Sequence, residues 1–271
     1  MTFVVDSENT TMLQILPFEQ SVEVQQAVEA YQNAEYPIAL TGAGISVASG
    51  IPDFRSPGGL WSIFNPEEYA TLEVFLRNPD KAWQLYRELG LVLLDKEPSK
   101  AHNALVELER EGLLKAVITQ NVDRLHQKAG SRQVVEIHGE HQHLQCLQCR
   151  NRMPVSKSHY QGSGSVPCPK CGFPLKPGIV LFGEDVREYD RIAAIASKAD
   201  FLLVIGTSAQ VYPAAEIPFL VKRNNGRVYE FNQEHVLARQ LSAQSGREGD
   251  YCFKGDVEET LPWFVSLVVA A

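Results

Sequence analysis

A glycine-rich turn directly after an apolar run constrains the fold of this chain more than any other stretch of its sequence. Residues 37–40 are apolar and predict a buried strand, and Gly42 and Gly44 follow them. A strand, a Gly-x-Gly turn and a helix start together place backbone N–H groups against a pyrophosphate. Neither glycine has a Cβ, so the backbone can turn tightly and approach a ligand closely. Val47 stands where the dinucleotide fingerprint has its third glycine, so a plain strand-to-helix turn stays open as an alternative.

The residues after this turn favour a ligand site. Asp53, Phe54 and Arg55 place an acid, an aromatic ring and a cation side by side. Arg55 is the first lysine or arginine of the chain, and a solvated surface arginine is the simplest interpretation. A guanidinium is also well suited to hold a phosphate, and the ring of Phe54 could cover a planar group beside it.

Residues 42–55 resemble the signature of the sirtuins, the NAD-dependent protein-lysine deacylases. Every fixed position of the pattern Gly-Ala-Gly-x-Ser-x-x-Ser-Gly-Ile-Pro-Asp-Phe-Arg is matched. The resemblance implies that this block binds NAD. The cofactor-binding residues that it implies are Gly42, Ala43, Gly44, Ser46, Ile51, Pro52, Asp53, Phe54, Arg55 and, just beyond the signature, Trp61.

Composition narrows the class of protein. The 271 residues are 44% hydrophobic, enough for a large domain and a small one. The formal charge of −8 argues against sequence-independent nucleic-acid binding. No apolar run approaches the roughly 18 residues of a membrane helix, so we expect no membrane partner. The N-terminus has no basic residue and four of the five cysteines are paired as Cys-x-x-Cys, so we expect a cytoplasmic protein.

A second polar cluster follows the strand predicted over residues 116–119. Amide, acid and histidine side chains come directly after this strand, at the end where open α/β sheets keep their ligand sites. A polar loop whose Asn or Asp caps a helix is the local alternative. The sirtuin pattern Thr-Gln-Asn-x-Asp-x-Leu-His is matched here. By this resemblance Asn121 is catalytic and positions the ribose or a water. Asp123 would bond the nicotinamide carboxamide, and Gln120 and Val122 would line the cofactor pocket.

A histidine ends the third predicted strand, over residues 134–137. His138 precedes a glycine, and an imidazole titrates close to working pH, which suits a general base. His141 and His143 follow closely, so the local sequence does not choose among the three. Sirtuins carry their base in a His-Gly pair directly before the zinc segment, and this resemblance selects His138 as catalytic.

Two cysteine pairs predict a structural metal site. Cys146 and Cys149 are separated from Cys168 and Cys171 by 18 residues, within the spacing of four-thiolate zinc sites. Such a site leaves no ligand position open, so one zinc ion would fold the segment and take no part in chemistry. Redox-active or disulfide-bonded pairs are the alternative.

Five basic residues and no acid surround these cysteines. Four thiolates leave a zinc site with a net charge of about −2, which nearby cations would partly offset. A basic face that contacts substrate protein or nucleic acid is the alternative interpretation. The five residues are Arg150, Arg152, Lys157, Lys170 and Lys176.

A later stretch resembles the peptide-binding strand of sirtuins. Residues 177–184 are similar to Pro-x-Val-Val-x-Phe-Gly-Glu, whose Phe-Gly-Glu backbone pairs with an extended peptide in that family. The resemblance assigns substrate binding to Phe182, Gly183 and Glu184. Backbone pairing along an edge strand accepts many peptide sequences. An ordinary strand and turn is the alternative.

The most apolar strand, over residues 201–205, leads into a second loop of the ligand-binding type. The loop matches the sirtuin pattern Gly-Thr-Ser-x-x-Val-x-Pro-Ala, which implies cofactor contacts from Gly206, Thr207 and Ser208 and a peptide contact from Val211. Asn232 and Gln233 follow the next strand, over 227–231, and match the adenosine-ribose contact. Val257 stands where the family closes over adenine.

These segments together predict an α/β fold. We expect a doubly wound parallel sheet, Rossmann-like, with a small inserted zinc-binding module. Its Rossmann-like domain would comprise residues 17–140 and 177–271, the module residues 141–176, and an N-terminal extension residues 1–16. Helices are predicted over 17–34, 65–96, 99–111 and 187–198.

The resemblance implies an NAD-dependent protein-lysine deacetylase or deacylase. It would transfer the acyl group to ADP-ribose, release nicotinamide, and bind acylated-lysine proteins as extended peptides. An NAD-dependent protein mono-ADP-ribosyltransferase is the nearer alternative, and a non-enzymatic NAD- and zinc-binding protein that recognises modified proteins is another. Sirtuins that remove succinyl groups use a Tyr and an Arg three residues apart, where alignment here gives Gln84 and Arg87. We therefore expect acetyl or longer neutral acyl groups.

Overall fold

The computed structural model describes residues 12–54, 56, 58–186, 188–237 and 249–270. These residues contain ten strands in two sheets. In chain order the strands are β1 (Leu13–Ile15), β2 (Pro37–Thr41), β3 (Ala116–Thr119), β4 (Val134–Glu136), β5 (Gly139–Cys146), β6 (Arg152–Pro154), β7 (Leu175–Ile179), β8 (Phe201–Ile205), β9 (Arg227–Asn232) and β10 (Tyr251–Lys254).

The main sheet is parallel throughout. Its strand order is β1-β10-β9-β8-β2-β3-β4, and every neighbouring pair runs in the same direction. Every residue of β2, β3 and β8 is buried, as expected for strands covered by helices on both faces. The strand order reverses between β2 and β8, so the crevice for a ligand lies at the carboxyl ends of these two strands.

Eleven α-helices lie in the described ranges, and none of them is both long and apolar enough to cross a membrane. Short 3₁₀ segments run over Ala43–Ser49 and Ala214–Glu216. The α-helices are α1 (Val22–Gln32), α2 (Leu60–Ile63), α3 (Pro66–Tyr69), α4 (Leu72–Arg77), α5 (Pro79–Leu93), α6 (Lys100–Arg110), α7 (Leu125–Ala129), α8 (Lys157–Gln161), α9 (Tyr189–Ala196), α10 (Ile217–Arg223) and α11 (Val257–Ala270).

Each face of the main sheet has its own hydrophobic core. One core packs α1, α6 and α11 against the sheet around Tyr31, Tyr229 and Phe264. The other packs α9 and α10 against the opposite face around Leu202 and Ile217. The prediction of a doubly wound parallel sheet is therefore confirmed.

Hydrophobic periodicity predicts helix boundaries only approximately. In the structure, polar side chains that cap the first turn set several of these boundaries. The helix predicted over 17–34 begins at Val22, because the Ser21 side chain accepts the backbone N–H of Val24. The helical stretch predicted over 65–96 contains α3, α4 and α5, since Thr71 and Asn78 each cap the helix that follows. The boundaries differ where a capping side chain satisfies the first N–H groups of a helix.

The N-terminal stretch differs from the predicted extension. Leu13–Ile15 pairs with β10 at the edge of the main sheet, and Ile15 is buried in the core beneath it. A strand of three residues is too short to show a period of two in the sequence, which explains why periodicity did not reveal it.

The smaller sheet has the order β6-β5-β7 and is antiparallel. A third core joins it to α2–α5, and Trp83 at its centre donates from its indole nitrogen to the carbonyl oxygen of Leu175 at 2.8 Å. Helix α5, which carries Trp83, also carries Gly90. This glycine faces the ring of Tyr160, and a Cβ on it would lie 2.3 Å from a ring atom. Helices α2–α5 therefore pack on the cysteine-containing segment.

Candidate active site

The glycine turn crosses the point where the strand order reverses. The N–H of Gly42 donates to the carbonyl oxygen of Ile205 at 3.0 Å, and that of Gly44 to Gly206 at 2.8 Å. A Cβ on Gly44 would lie 2.6 Å from the Cα of Gly206, and one on Gly42 would lie 2.6 Å from the Cβ of Thr207. Glycine is thus required at both positions by the close approach of protein backbone, in addition to any ligand.

The missing third glycine has a structural explanation. The segment after the turn is 3₁₀ over Ala43–Ser49, where the sequence predicted the start of an α-helix. Val47 lies on the outside of this segment with its side chain half exposed. Because this side chain is half exposed, the position does not need the close packing of helix on strand for which the fingerprint uses a glycine.

Three of the predicted polar residues form one buried hydrogen-bonded cluster. The Asn121 side-chain amide donates to the carbonyl oxygen of Gly42 at 3.0 Å and to the Ser46 hydroxyl at 3.1 Å. The Ser46 hydroxyl donates to Asp123 at 2.7 Å, and the second oxygen of this carboxylate accepts the N–H of Leu125 at 2.9 Å. Asp123 therefore bonds the first N–H of α7, although the N-cap residue of this helix is Arg124, and it also faces the glycine turn.

A second set of contacts joins the loops after β3, β8 and β9. The Gln120 amide donates to the Thr207 hydroxyl at 2.7 Å, and the Asn232 amide donates to the Thr207 carbonyl oxygen at 3.1 Å. Gly206 precedes Thr207 at a φ of 58°, and Ser208 follows it. The predicted cofactor residues of three strands thus meet at one edge of the sheet.

The three histidines after β4 have different environments. The Nδ1 of His138 donates to the carbonyl oxygen of Gln120 at 3.0 Å, and since a carbonyl only accepts, Nε2 carries the free lone pair. Burial lowers the pKa of His138, which favours this neutral form. His141 makes a similar bond to Val122 at 2.7 Å, and burial lowers its pKa as well. His143 instead pairs with Glu140 at 2.9 Å, a carboxylate that also pairs with Arg152.

The second half of the glycine block folds back on itself. The carbonyl oxygens of Asp53 and Phe54 accept the N–H groups of Leu60 and Trp61 at 3.0 and 2.9 Å. The rings of Phe54 and Trp61 lie 5.0 Å apart, and Ile51 is buried behind them in the third core. Pro52 lies next to Ile51 and is exposed. Arg55, the predicted phosphate cation, lies outside the described residues.

The predicted peptide strand is partly paired within the protein. The backbone of Phe182 donates to Ala70 at 3.0 Å and accepts from Leu72 at 2.9 Å, while its ring is exposed. The Glu184 carboxylate points inward, accepting the N–H of Leu181 at 2.7 Å and the ammonium of Lys176 at 3.1 Å. Any backbone pairing with a peptide therefore falls to residues other than Phe182.

Of the four remaining predicted contacts, three are accessible and one is buried. Val211 is half buried ahead of the 3₁₀ segment at 214–216, and Gln233 is exposed after β9. Gly183 has a φ of 88°, and apart from its chain neighbours no described residue has an atom within 4 Å of the position that a Cβ would take. Val257 opens α11 with its side chain packed in the core, so only its backbone is available to a ligand.

The four paired cysteines converge on one point. Their sulfur atoms all lie within 4.8 Å of one another, with Cys146 to Cys171 at 3.5 Å and Cys149 to Cys168 at 3.6 Å. Thiolates at a Zn–S distance of about 2.3 Å in a tetrahedron lie about 3.8 Å apart, so the donor set fits one structural zinc ion. Residues in the left-handed region turn both knuckles: Arg150 at a φ of 60° and Gly172 at 76°.

A second trio with metal-ligand chemistry is explained by hydrogen bonds. Glu230, His235 and Cys252 place their ligand atoms within 4.8 Å of one another. The buried Glu230 carboxylate already accepts from Asn232 and from the N–H of Val236, both at 2.8 Å, and bonds the ring of His235 at 2.5 Å. It thus holds the segment after β9 beside Asn232.

The Sir2 family model matches residues 42–213, from the glycine turn through the loop after β8. The chain belongs to the Sir2 family. Two similar Sir2 relatives are NAD-dependent protein deacylases of Thermococcus kodakarensis and Pyrococcus abyssi. The first is 46% identical over 87% of this chain and 92% of its own length. The second is 43% identical over 89% of this chain and 95% of its own length.

Solved Sir2 structures share the fold over nearly the whole chain. A Sir2 homologue in complex with NAD has a TM-score of 0.84 and 36% identity, covering 97% of this chain and 98% of its own. A Sir2 variant with a deacetylated p53 peptide and 3′-O-acetyl-ADP-ribose has a TM-score of 0.82 and 30% identity, covering 90% of this chain and 97% of its own. A Sir2 protein bound to a myristoylated histone peptide has a TM-score of 0.73 and 35% identity, covering 92% of this chain and 97% of its own.

Sequence reasoning missed a buried lysine in this Sir2-family chain. Lys176 is fully buried, and its ammonium donates to the carbonyl oxygens of Pro177 at 3.1 Å and Ile179 at 2.5 Å besides pairing with Glu184. The sequence indicates only that this lysine is one of five cations close to the cysteine pairs. Its position between Leu175 and Pro177 in an apolar strand was the available signal.

Removal of zinc by a strong chelator is expected to unfold the smaller sheet. In zinc peptides the binding free energy, about 10–16 kcal/mol, is folding free energy, and here one ion would join both knuckles through the four sulfur atoms. We expect release of one zinc per chain with fast amide hydrogen exchange over 139–179. The main sheet should stay protected because it has its own cores. Protection of 139–179 that survives zinc release would contradict this prediction.

Proposed function

We propose that this chain is an NAD-dependent protein-lysine deacetylase or deacylase. It transfers the acyl group of an acylated lysine to ADP-ribose and releases nicotinamide. The observation that carries the proposal is the joining of Asn121, Ser46 and Asp123 at the switch point of the sheet, with the free Nε2 of His138 on the adjoining strand end. The deacylase relatives at 43–46% identity support the same activity.

The residues present fit NAD as the co-substrate. The turn at Gly42 and Gly44 would bind the pyrophosphate, with Arg55 as its cation, and Asn232 would contact the adenosine ribose. Asp123 and Phe54 would hold the nicotinamide end. When NAD is bound, its ribose supplies the carbon that the acyl oxygen attacks as nicotinamide leaves.

His138 acts on the second half of the reaction in this proposal. Its neutral imidazole takes the proton of a ribose hydroxyl at Nε2, so that the hydroxyl can attack the transferred acyl carbon. The Gln120 carbonyl fixes the ring by accepting from Nδ1 at 3.0 Å. Asn121 orients the ribose or a water. This division of roles makes His138 the general base and Asn121 the orienting group.

The substrate is an acylated-lysine protein bound as an extended peptide. It would lie between the Phe182–Glu184 turn and the loop at Val211, and backbone pairing would let it vary in sequence. The Arg87 guanidinium donates to the Gly164 carbonyl and lies 5.4 Å from the ring of Trp83. Because this cation is engaged with protein groups, we propose neutral acyl chains, acetyl or longer, over succinyl.

We also propose a domain organisation and a cellular location for this chain. The Rossmann-like domain would comprise residues 17–140 and 177–271 together with the edge strand Leu13–Ile15, and the zinc module residues 141–176. A cytoplasmic location is supported by the cysteine pairs, since thiolate ligands persist in a reducing compartment.

The experiment is nicotinamide release from NAD by purified protein, with and without an acetyl-lysine peptide. We expect release that depends on the peptide, together with O-acyl-ADP-ribose in the mass spectrum. A series of acetyl, myristoyl and succinyl peptides then measures the acyl preference, with succinyl expected to be slowest. ADP-ribose found on protein would favour a mono-ADP-ribosyltransferase, and NAD binding without release would favour a non-enzymatic binding protein.

A further inference from the structure

Two histidines that take no part in the proposed chemistry meet in the interior behind the site. His102 lies on α6 and His126 on α7, and both are fully buried. Their ring centroids are 4.7 Å apart with an angle of 59° between the planes. Among the described residues, neither His102 Nε2 nor His126 Nδ1 has a hydrogen-bond partner.

The tautomer of His102 follows from its contacts. Its Nδ1 accepts the backbone N–H of Ser99 at 3.2 Å, so the proton of the neutral ring is on Nε2. Burial lowers the pKa of His102 to about 4, which keeps the ring neutral. The hydroxyl of Ser99 donates to the carbonyl oxygen of Ile45 at 3.0 Å, inside the 3₁₀ segment of the glycine turn.

The tautomer of His126 follows in the same way. The Thr41 hydroxyl donates to Thr119 at 2.8 Å, so His126 Nε2, which lies 2.8 Å from the Thr41 oxygen, is the donor of that contact. The lone pair is then on Nδ1. The Thr119 oxygen also accepts the backbone N–H of Asn121 at 3.0 Å.

The two unpartnered atoms are therefore complementary, because His102 offers an N–H and the adjacent His126 offers a lone pair. Buried polar groups are almost always hydrogen-bonded. A bond between the rings would complete a chain of contacts. The chain runs from the Ile45 carbonyl through Ser99, whose backbone N–H bonds His102, then through His126 and the two threonines to the backbone amide of Asn121.

We propose that His102 and His126 are positioning residues, a neutral hydrogen-bonded pair that fixes Asn121 relative to the glycine turn. The inference rests on the proposed function, since Asn121 is there the orienting group of the reaction. The pair touches neither substrate nor co-substrate in this proposal. It acts through the threonines on one side and through Ser99 on the other.

Two substitutions remove the link between the rings and keep the other contacts. In His102→Asn the side-chain oxygen can still accept from Ser99, and the Nε2 donor is lost. In His126→Gln the side-chain amide can still donate to Thr41, and the Nδ1 acceptor is lost. We expect each variant to lower kcat about 10-fold to 100-fold through misplacement of Asn121, with the KM for peptide unchanged.

The double variant provides the decisive comparison. Because both changes break the same bond, we expect its kcat to be no lower than that of the worse single variant. Multiplicative losses would mean two independent packing roles and would overturn the proposal, as would unchanged kcat in both single variants. A wild-type protein without peptide-dependent nicotinamide release would refute the proposed function instead, and the next measurement would still test the pair.

Long-range ¹H–¹⁵N spectra of the wild-type histidines test the pair without substitution or activity. We expect both rings to be neutral with the proton on Nε2, and His126 Nδ1 to show the shift of a bonded acceptor. A proton on His126 Nδ1, or an unbonded shift at that atom, would overturn the proposal even if the variants fail to fold.

Discussion

Replacing His138 with alanine is expected to lower the rate of deacylation about 10²–10⁴-fold, the usual contribution of a general base. The reason is the loss of the only group proposed to take the ribose hydroxyl proton. Release of nicotinamide precedes this step, so exchange of labelled nicotinamide into NAD should persist in the variant. The measurement is single-turnover formation of O-acyl-ADP-ribose beside the exchange reaction.

The chain offers a matched control for this variant. His143 lies on the same segment, and its ring pairs with Glu140 rather than with the polar cluster. His143→Ala should therefore keep near-wild-type deacylation. If His138→Ala also deacylates at nearly the wild-type rate, the assignment of the base is wrong.

The pH dependence follows from the burial of His138. The base works when neutral, so kcat should fall as the pH decreases through its pKa. Burial lowers this pKa below its ordinary value of about 6.5, and the bond to Gln120 opposes the shift only in part. We therefore expect kcat to fall with decreasing pH only below a pH of about 6.5 and to be constant near neutral pH. An inflection above pH 7 that disappears in His138→Ala would contradict the prediction.

Replacing Lys176 with methionine is expected to destabilise the protein by about 3–5 kcal/mol, because it leaves the Glu184 carboxylate without its buried partner. The ammonium also holds the carbonyl oxygens of Pro177 and Ile179, which lead into the proposed peptide-binding turn. We therefore expect a raised KM for peptide as well. Chemical denaturation and peptide titration, at a temperature where the variant is folded, measure the two effects.

A second buried ion pair provides a control that separates the loss of stability from the change in KM for peptide. Lys222 and Asp250 pair at the start of β9, at the opposite end of the strand from Asn232, with side chains 6% and 1% exposed. Lys222→Met should therefore lower stability by a similar amount and leave the KM for peptide unchanged. An unchanged KM in Lys176→Met would mean that this lysine stabilises the fold without shaping the peptide turn.

Local patterns in the sequence predicted most of the fold. The apolar runs over 116–119 and 201–205 are buried strands, and the cysteine spacing brings four sulfur atoms to one point. These predictions succeeded because a buried strand or a zinc knuckle is specified by a few adjacent residues. The third glycine was absent because Val47 lies on the exposed outer side of a 3₁₀ segment, where no close packing requires a glycine.

Contacts between segments that are far apart in the chain could not be predicted from the sequence. The Glu184 carboxylate points inward to Lys176, and the backbone of Phe182 pairs with residues before α4, although the sequence assigned all of this turn to the peptide. His102 and His126 come from separate helices, and only the fold shows that their rings are adjacent. Such partners are set by how the helices pack on the sheet, which no local pattern encodes.

The contact between Gly44 and Gly206 makes two distant loops a single unit for protein engineering. A side chain at either position would occupy the space of the other backbone, and the φ of 58° at Gly206 disfavours any residue but glycine. A library that randomises either loop while the other is kept should therefore return glycine at the randomised position of this pair. Efforts to accept altered nucleotides would do better to vary exposed positions after β9, such as Gln233, where a new side chain meets solvent.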